Sequence, residues 1–583
     1  MNSSVIRQEL FAQLIAKTDM RKVAALVKEH GKKAAREYVR EHFSKLAKDA
    51  TSQGITTGLG LNFIDLRAPA YMLNPVWTPI RNTTPRWDKV NAGYGVQPQW
   101  KAVTALNANG MFPGVSEGNT NQYGSFTEKD YSRPYVTLGT DDFVTYEGIS
   151  AAEGYEDTLG DGKMWQLLRF MILQEATYIG GASSGSNGDV TSLQIGTTNT
   201  PVGVLSALNN ATFVTGVLPV GSYAAAYAVA LNYRAATSPT NTVPLGITTQ
   251  YLRSNADGST DVINGGSAIV SAVSNVVGPT VTGTKTIQFN CTPQPGAWGY
   301  AWFVEINTSS TFTPNPALAK LTAITSASTV NIYGQTQGTQ TAAYAGSGGY
   351  AGFATDLSTN SLDMDGLLTI ASNSTYTTGL PTPVFNVNSF GTALAGGWDN
   401  HGAGLTNGGM VGSITEIDSI LFAIQSAALT SPTRIYVSTD QVDGFRKAFL
   451  VGATGSTAAN FFFQNGGPKG DEDGLSVQTK IADYQNVFAL AGENGFIPVI
   501  QHPSLPTGTI LFDVDTLGAA YENSRMGETR GVFVRRDTYG IEFAQTSRKY
   551  PFGVFSEEVL ACKTPNILAF LKGLGKFGAA NLF

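Results

Sequence analysis

The stretch KMWQLLRFMILQEATYIGG, Lys163 to Gly181, is the most apolar continuous helix candidate in the chain, and its reading decides the fold. A membrane span needs ~20 consecutive apolar residues, but Gln166, Arg169, Gln174 and Glu175 interrupt this one. Arg169 alone costs about 2.5 to 3.5 kcal/mol at a helix centre on insertion scales. The stretch is therefore expected to be a helix largely buried in protein, with Asp161 as its N-cap and Gly180-Gly181 as its stop.

The surroundings say what such a helix serves. The chain has 583 residues, more than one core usually holds, so two to four domains are expected. Charged residues make up 14% against roughly 25% for typical soluble domains, and glycine is abundant at 65 residues. This balance favours strands, turns and uncharged polar surface. Two distant cysteines, Cys291 and Cys562, do not make a disulfide framework. The opening MNSSVIRQELFAQLIAKTDM carries charge inside its apolar part and no small-residue cleavage site, so folding in a cytoplasm is the simplest expectation. Residues 1–50 carry a net charge of +5 and the remainder −11, so a basic arm leads an acidic body.

Residues 3–17 and 19–49 read as two helices, and TSQGITTGLGLN breaks the pattern. Within the arm, Lys28, Lys32, Lys33, Arg36 and Arg40 are the candidate DNA-facing cations, since lysine and arginine release counterions from phosphates. The competing readings are an amphipathic helix packed on a partner, its charges merely solvated, and a disordered tail. QPQWKAV and RPYVTLGTDDFVTYEGI read as two long strands of one hairpin, with NANGMFPGVSEGNTNQYG between them. Residues 201–350 hold only seven charged residues and are rich in Thr, Val, Ala and Tyr. SYAAAYAVALN places Tyr223, Ala225, Tyr227, Val229 and Leu231 on one face, and TKTIQFNC turns Ile287, Phe289 and Cys291 inward. That spacing suggests a β-sandwich. SITEIDSILFAIQSAAL then reads as a helix with a capping box, Ser413 and Glu416, followed by alternating strands and helices.

Chemistry is sparse. His30, His42, His401 and His502 fall in three distant regions, and neither HExxH nor CxxC occurs, so no metal site and no cofactor is expected. Ser116 and Ser183 sit in G-x-S-x-G matches without the strand-then-helix context a nucleophile requires; chance matches are ordinary in a chain this rich in Gly and Ser. NADGSTD, LDMDG and GDEDG lack the full calcium-loop spacing and read as turns. Glu147, Glu153, Glu156 and Asp157 cluster at a helix start, where negative charge complements the dipole, rather than forming a catalytic pair. The chain does not read as an enzyme.

The order of parts carries more than any single motif. A basic helical arm is followed by an aromatic hairpin, then FVTYEGISAAEGYEDTLGDGKMWQLLRFMILQEATYIGG, and finally ITEIDSILFAI, SPTRIYVSTDQVDGFRKAFL and GFIPVIQHPSLPTGTILFDVDTL. This arrangement resembles the major capsid proteins of tailed phages, the Hong Kong 97-type fold shared with encapsulins. Glu175, Gly180 and Gly181 resemble the family's acidic residue and closing Gly-Gly at the end of its spine helix. The resemblance implies an α+β fold with an N-terminal arm (1–60), an extended loop and spine-helix region (61–200, the loop itself at about 85–140) and an axial domain with return strands of the peripheral domain (356–583). Residues 201–355 depart from the family plan and resemble an inserted immunoglobulin or fibronectin type III sandwich.

The implied function is a coat protein assembling as hexamers and pentamers into an icosahedral head around double-stranded DNA, held non-specifically. Portal, scaffold and decoration proteins are the implied partners, no membrane is, and the implied location is the virion after assembly in a host cytoplasm. An encapsulin-like cargo shell, or a fibre-type protein with a carbohydrate-binding sandwich, is the alternative. Some relatives crosslink subunits through a Lys–Asn bond; Lys101 and Lys129 lie in the hairpin region, but no acceptor is identifiable and no crosslinking residue carries over.

A hairpin this long cannot cover both of its faces unaided. Trp87, Tyr94, Trp100, Phe112, Tyr123, Phe126 and Tyr131 are the expected anchors between subunits, unless they pack within one subunit. A sandwich with its own core also leads to the expectation that excising about 205–350 leaves assembly possible.

Overall fold

The computed structural model describes the chain from residue 73 to 575 except residues 74, 88–94, 107–110, 122, 154–155, 186–191, 207–217, 238–250, 256, 282–285, 344–351, 374–391, 395, 410–411, 451–482, 491–492, 494, 525–526 and 546. Two compact units are distinguished, Pro75–Glu153 with Asp157–Phe583, and Met1–Asn74 with Gly154–Glu156. The second lies almost wholly outside the described residues, as do Tyr94 and the arm cations Lys28, Lys32, Lys33, Arg36 and Arg40.

The axis of the first unit is a helix, Thr158–Gly180. It begins more than a turn before the sequence expectation, because Asp157 rather than Asp161 is the cap: the Asp157 carboxylate accepts the Gly160 N–H at 3.1 Å, and Asp161 sits in the first turn. Nor is the helix largely buried. Gln166, Phe170, Gln174, Glu175 and Tyr178 face the interior, while Met164, Trp165, Leu167 and Leu173 are exposed. Apolar residues surround this helix; one stripe of its earlier turns meets the body, and its last turn, Thr177 to Gly180, is buried all round.

That stripe lies on a four-stranded sheet ordered Arg86–Trp87, Arg530–Glu542, Lys549–Cys562, Val136–Thr145. The expected hairpin is thereby corrected. Gln99–Ala105 pairs with Thr127–Ser132, while Val136–Thr145 pairs antiparallel with Lys549–Cys562. The break falls at Arg133-Pro134, where proline has no N–H to continue a ladder.

The second large element is a seven-stranded mixed sheet ordered Thr392–Leu394, Gly397–Asp399, Ala569–Lys572, Ile510–Asp513, Arg434–Ser438, Phe496–His502, Asp483–Gln485. The helices Thr415–Ala428 and Gln441–Leu450 supply Ile417, Ile420, Leu421, Ile424 and Phe445 to the core it shares with them. The capping box expected at the first helix is absent. Ser413 Oγ donates to Asp418, and the Glu416 carboxylate turns inward to accept the Thr406 N–H, so both side chains are committed elsewhere. With helices and a mixed sheet set beside antiparallel sheets, the fold is α+β.

Between residues 202 and 332 run two three-stranded antiparallel sheets. One is ordered Lys320–Thr325, Gly299–Asn307, Tyr223–Leu231; the other Thr329–Ile332, Thr286–Asn290, Val202–Ser206. One cluster of buried side chains draws on both: Ala224, Ala226, Ala228, Tyr300, Trp302 and Val304 from the first; Ile287, Phe289, Val330 and Ile332 from the second; and Cys291 beyond it. The Tyr227, Val229 and Leu231 face of Tyr223–Leu231 is also buried, in a separate cluster with Phe303 and Phe353. This is why the strand is apolar at nearly every position.

Both outer flanks are closed. Residues 268–277 run beside Tyr223–Leu231 with backbone bonds at every third residue, from Ala268, Ser271, Ser274 and Val277. Ser271 and Ser274 Oγ accept two further N–H groups of that strand. The Asn275 side chain bonds both the N–H and the C=O of Gly203, so the edge strand Val202–Ser206 cannot extend at that point.

These sheets are not a self-contained attachment. Tyr233 and Trp298 leave them to join the cluster of Ile80, Tyr178, Ile179, Met364, Leu560 and Phe570. Gly180 is there because Tyr233 presses on it: a Cβ at 180 meets Tyr233 Cγ at 2.0 Å.

Candidate interaction surfaces

Two places concentrate unusual residues, and they do opposite things. The first is the hairpin of Gln99–Ala105 and Thr127–Ser132. Its base is anchored within the chain: Trp100 stacks on Tyr131 and Phe533, Tyr131 is buried, and Trp87 packs edge-on against Phe533 and donates its indole N–H to Glu528. The excursion beyond the strands is not covered. Every described residue from Phe112 to Phe126 is exposed. Phe112 is 78% exposed, Tyr123 94% and Phe126 64%, and Val103, Leu106 and Val115 are exposed with them. Of the seven expected anchors, Trp87, Trp100 and Tyr131 are thus spent inside this chain, whereas Phe112, Tyr123 and Phe126 face solvent. Exposed apolar side chains gathered in one segment make this a candidate contact surface.

The second place is a buried polar junction that sequence reasoning passed over. Glu175, near the end of the long helix, accepts the N–H groups of Ile80 (2.9 Å) and Arg81 (2.6 Å) in the first turn of the helix Pro79–Thr83. It also lies 2.6 Å from His502 Nε2. His502 Nδ1 accepts the Ser504 N–H, which leaves Nε2 as the protonated nitrogen that donates to Glu175. Beside it on the same helix, Gln174 Nε2 and the Tyr178 hydroxyl both donate to Glu558 Oε1, and Arg86 Nη2 donates to Glu558 Oε2 at 2.6 Å. Burial, then the Glu558 carboxylate, pushes the Tyr178 phenol well above its ordinary value. Beside this, Arg530 and Asp513, both fully buried, pair through two parallel bonds of 2.6 and 2.5 Å, and Arg530 Nη1 also donates to Thr84 Oγ1. Burial alone would lower the Arg530 pKa, but the Asp513 carboxylate more than reverses it.

This junction binds the segment 79–86 to the long helix and to both large sheets. Glu175, Glu558, Asp513 and His502 are all buried, and the junction rivets these elements together. The available signal was Glu175 itself: a carboxylate inside an apolar helix implies buried partners.

The other singled-out residues have local roles. Ser116 lies in the exposed excursion, where its hydroxyl accepts from Asn119. Ser183 is buried and its hydroxyl accepts from the Gly185 N–H. Glu147 occupies the first turn of the helix Tyr146–Ala152 and Asp157 caps the long helix, as helix-start carboxylates should. Among the described residues no group of three His, Cys, Asp or Glu side chains is placed to hold a metal ion, and no helix is long and apolar enough to cross a membrane.

No protein-family model and no curated protein matches the chain in sequence. Solved structures do. The capsid of Myoviridae phage XM1 is 8% identical, with 89% of this chain and 99% of that chain covered and a TM-score of 0.34. The capsid of the native GTA particle is 8% identical over 90% and 99%, with a TM-score of 0.35. The cyanophage A-1(L) capsid is 10% identical over 91% and 99%, with a TM-score of 0.34.

Proposed function

We propose that this chain is the major capsid protein of a tailed phage, a subunit that assembles with copies of itself into the head shell. The observation that carries the reading is the hairpin: its base is pinned by Trp100 and Tyr131, and its aromatic excursion finds no cover within its own compact unit. A second copy supplies that cover. Contacts that join one patch to a different patch close into rings and, with curvature, shells. The rigid frame such a lever needs is present in the Glu175, Glu558 and Arg530 junction, which fixes the four-stranded sheet, the long helix and the seven-stranded sheet as one body.

In this reading residues 201–355 are an inserted sandwich, residues 1–60 an arm whose cations meet packaged DNA, and the protein is not an enzyme. Portal, scaffold and decoration proteins would complete the particle, with the virion as its location.

The test is electron microscopy of the purified protein beside a Phe112→Ser/Tyr123→Ser/Phe126→Ser variant. Closed shells are expected from the first. From the second, folded subunits that no longer close are expected, with little change in stability because the replaced side chains are mostly exposed. A native protein that stays monomeric at every concentration and salt condition sinks the proposal. Nucleic acid content of the shells separates a genome container from a cargo shell.

A further inference from the structure

The strands Gly397–Asp399 and Ala569–Lys572 run parallel, and their register sets Asp399 directly beside Lys572. Both side chains are out of solvent. Lys572 Nζ lies 4.0 Å from Asp399 Oδ2, and that oxygen accepts no hydrogen bond. The other oxygen is held: Oδ1 accepts from Ser328 Oγ at 3.1 Å and from the His401 N–H at 2.9 Å. Ser328 Oγ in turn lies 2.8 Å from His401 Nδ1. Because the single hydroxyl proton is given to Asp399, the imidazole Nδ1–H must donate to Ser328, which makes a proton path from the half-buried imidazole to the carboxyl.

The walls mix apolar side chains with two backbone carbonyls, those of Gln294 at 3.3 Å and of Ala297, which accept from Lys572 Nζ. Nζ sits 5.4 Å from the Trp298 ring centroid, and the neighbouring Phe570 and Tyr300 are buried. Gly573, at φ +67°, leaves room that a Cβ would fill, 2.6 Å from Asp399 Oδ1.

We propose that Asp399 and Lys572 condense into an amide within one chain. A proton passes from the Lys572 ammonium to Oδ2, and the freed nitrogen lone pair attacks Cγ. Negative charge developing on Oδ1 is met by two donors already aimed at it, Ser328 Oγ–H and the His401 N–H. Nitrogen passes a second proton to the Oδ2 hydroxyl, the Cγ–Oδ2 bond breaks, and Oδ2 leaves as water; no oxidant or other reactant is consumed. Two buried charges become one neutral amide, which removes the cost of holding an imperfectly paired ion pair away from water. Burial, partly offset by Asp399, lowers the Lys572 pKa to about 8, so at neutral pH the ammonium is present and gives up its proton to Oδ2 more readily than an exposed lysine would. Ser328 belongs to the sandwich region and Asp399 and Lys572 to the seven-stranded sheet, so the bond forms only where these have already docked.

The experiment is intact mass spectrometry of the full-length folded protein, held at pH 7 and sampled over time. The expected product is one water lighter than the sequence, and digestion yields one branched peptide joining the segments of Asp399 and Lys572. Lys572→Arg is expected to keep the full mass indefinitely. Ser328→Ala, which preserves both reacting groups, is expected to slow the loss of water about a hundredfold. Full mass and two separate linear peptides from the folded native protein after prolonged incubation overturn the proposal, as does unchanged water loss in Lys572→Arg.

Discussion

Gly180→Ala tests whether the 201–355 region and the long helix are one body. In an isolated helix this change is favourable by about 1 kcal/mol. Here the new methyl group would lie 2.0 Å from Tyr233 Cγ and 2.4 Å from Tyr233 Cβ. Cβ is fixed to the backbone, so no rotamer of Tyr233 relieves the contact. Overpacking of this kind costs about 1–3 kcal/mol, and displacing the ring also threatens the 2.8 Å bond from the Tyr233 hydroxyl to the Ser504 carbonyl, about 1 kcal/mol more. The single variant is therefore expected to lose about 2 kcal/mol despite better helix propensity. Tyr233→Gly alone should lose about 3–5 kcal/mol or more, as large aromatic truncations in cores do. In the Tyr233→Gly background both Cβ and the ring are gone, and Gly180→Ala should become neutral or slightly stabilising. Urea midpoints read through tryptophan emission are suited to this, because buried Trp298 lies in the same cluster. The expected coupling is about 2 kcal/mol or more; distant independent sites add to within about 0.5 kcal/mol. Simple additivity of the two substitutions would refute the interlocked body.

Other outcomes rest on the same geometry. Excising 205–350 removes Tyr233 and Trp298 from the main core, so the remainder is expected to melt far below the intact protein rather than assemble; differential scanning calorimetry decides this. Glu175→Ala leaves buried donors from Ile80, Arg81 and His502 unanswered, at about 1–3 kcal/mol each, so a loss of about 3 kcal/mol or more is expected in urea titrations. Asp365 is fully buried, and burial, partly offset by the Ser183 N–H, pushes its carboxyl up to about 6. The folded value exceeds the unfolded value of about 3.9, so the fold prefers the protonated form, and stability falls as pH rises between those values, by about 3 kcal/mol. Asp365→Asn should remove that slope between pH 4 and 6 and gain stability at pH 8; identical pH profiles would contradict it. Removing residues 1–50 is expected to change particle size or fidelity in micrographs while leaving the melting temperature of the body in place.

Some of this molecule is written locally. Alternation along TKTIQFNC put Ile287, Phe289 and Cys291 on one inward face, because strand geometry alone alternates side chains. The apolar helix ending at Gly180 was visible from periodicity and its glycines, and the aromatic excursion around Phe112 and Tyr123 from composition. What tertiary structure decided is who meets whom. Val136–Thr145 looked like the return strand of a hairpin, yet its partner is Lys549–Cys562, about four hundred residues away. A strand's own pattern says that it will pair and does not say with what. Asp157 took the cap assigned to Asp161, and Ser413 and Glu416 gave up a capping box for partners the local sequence does not contain. The run at 268–277 was invisible to a period-two search because its bonds to the Ala-rich strand recur every three residues. Glu175, Gln174, Arg530 and Lys572 show the limit most plainly: a polar side chain acquires its role from the groups that surround it after burial, and those groups are brought together only by the fold.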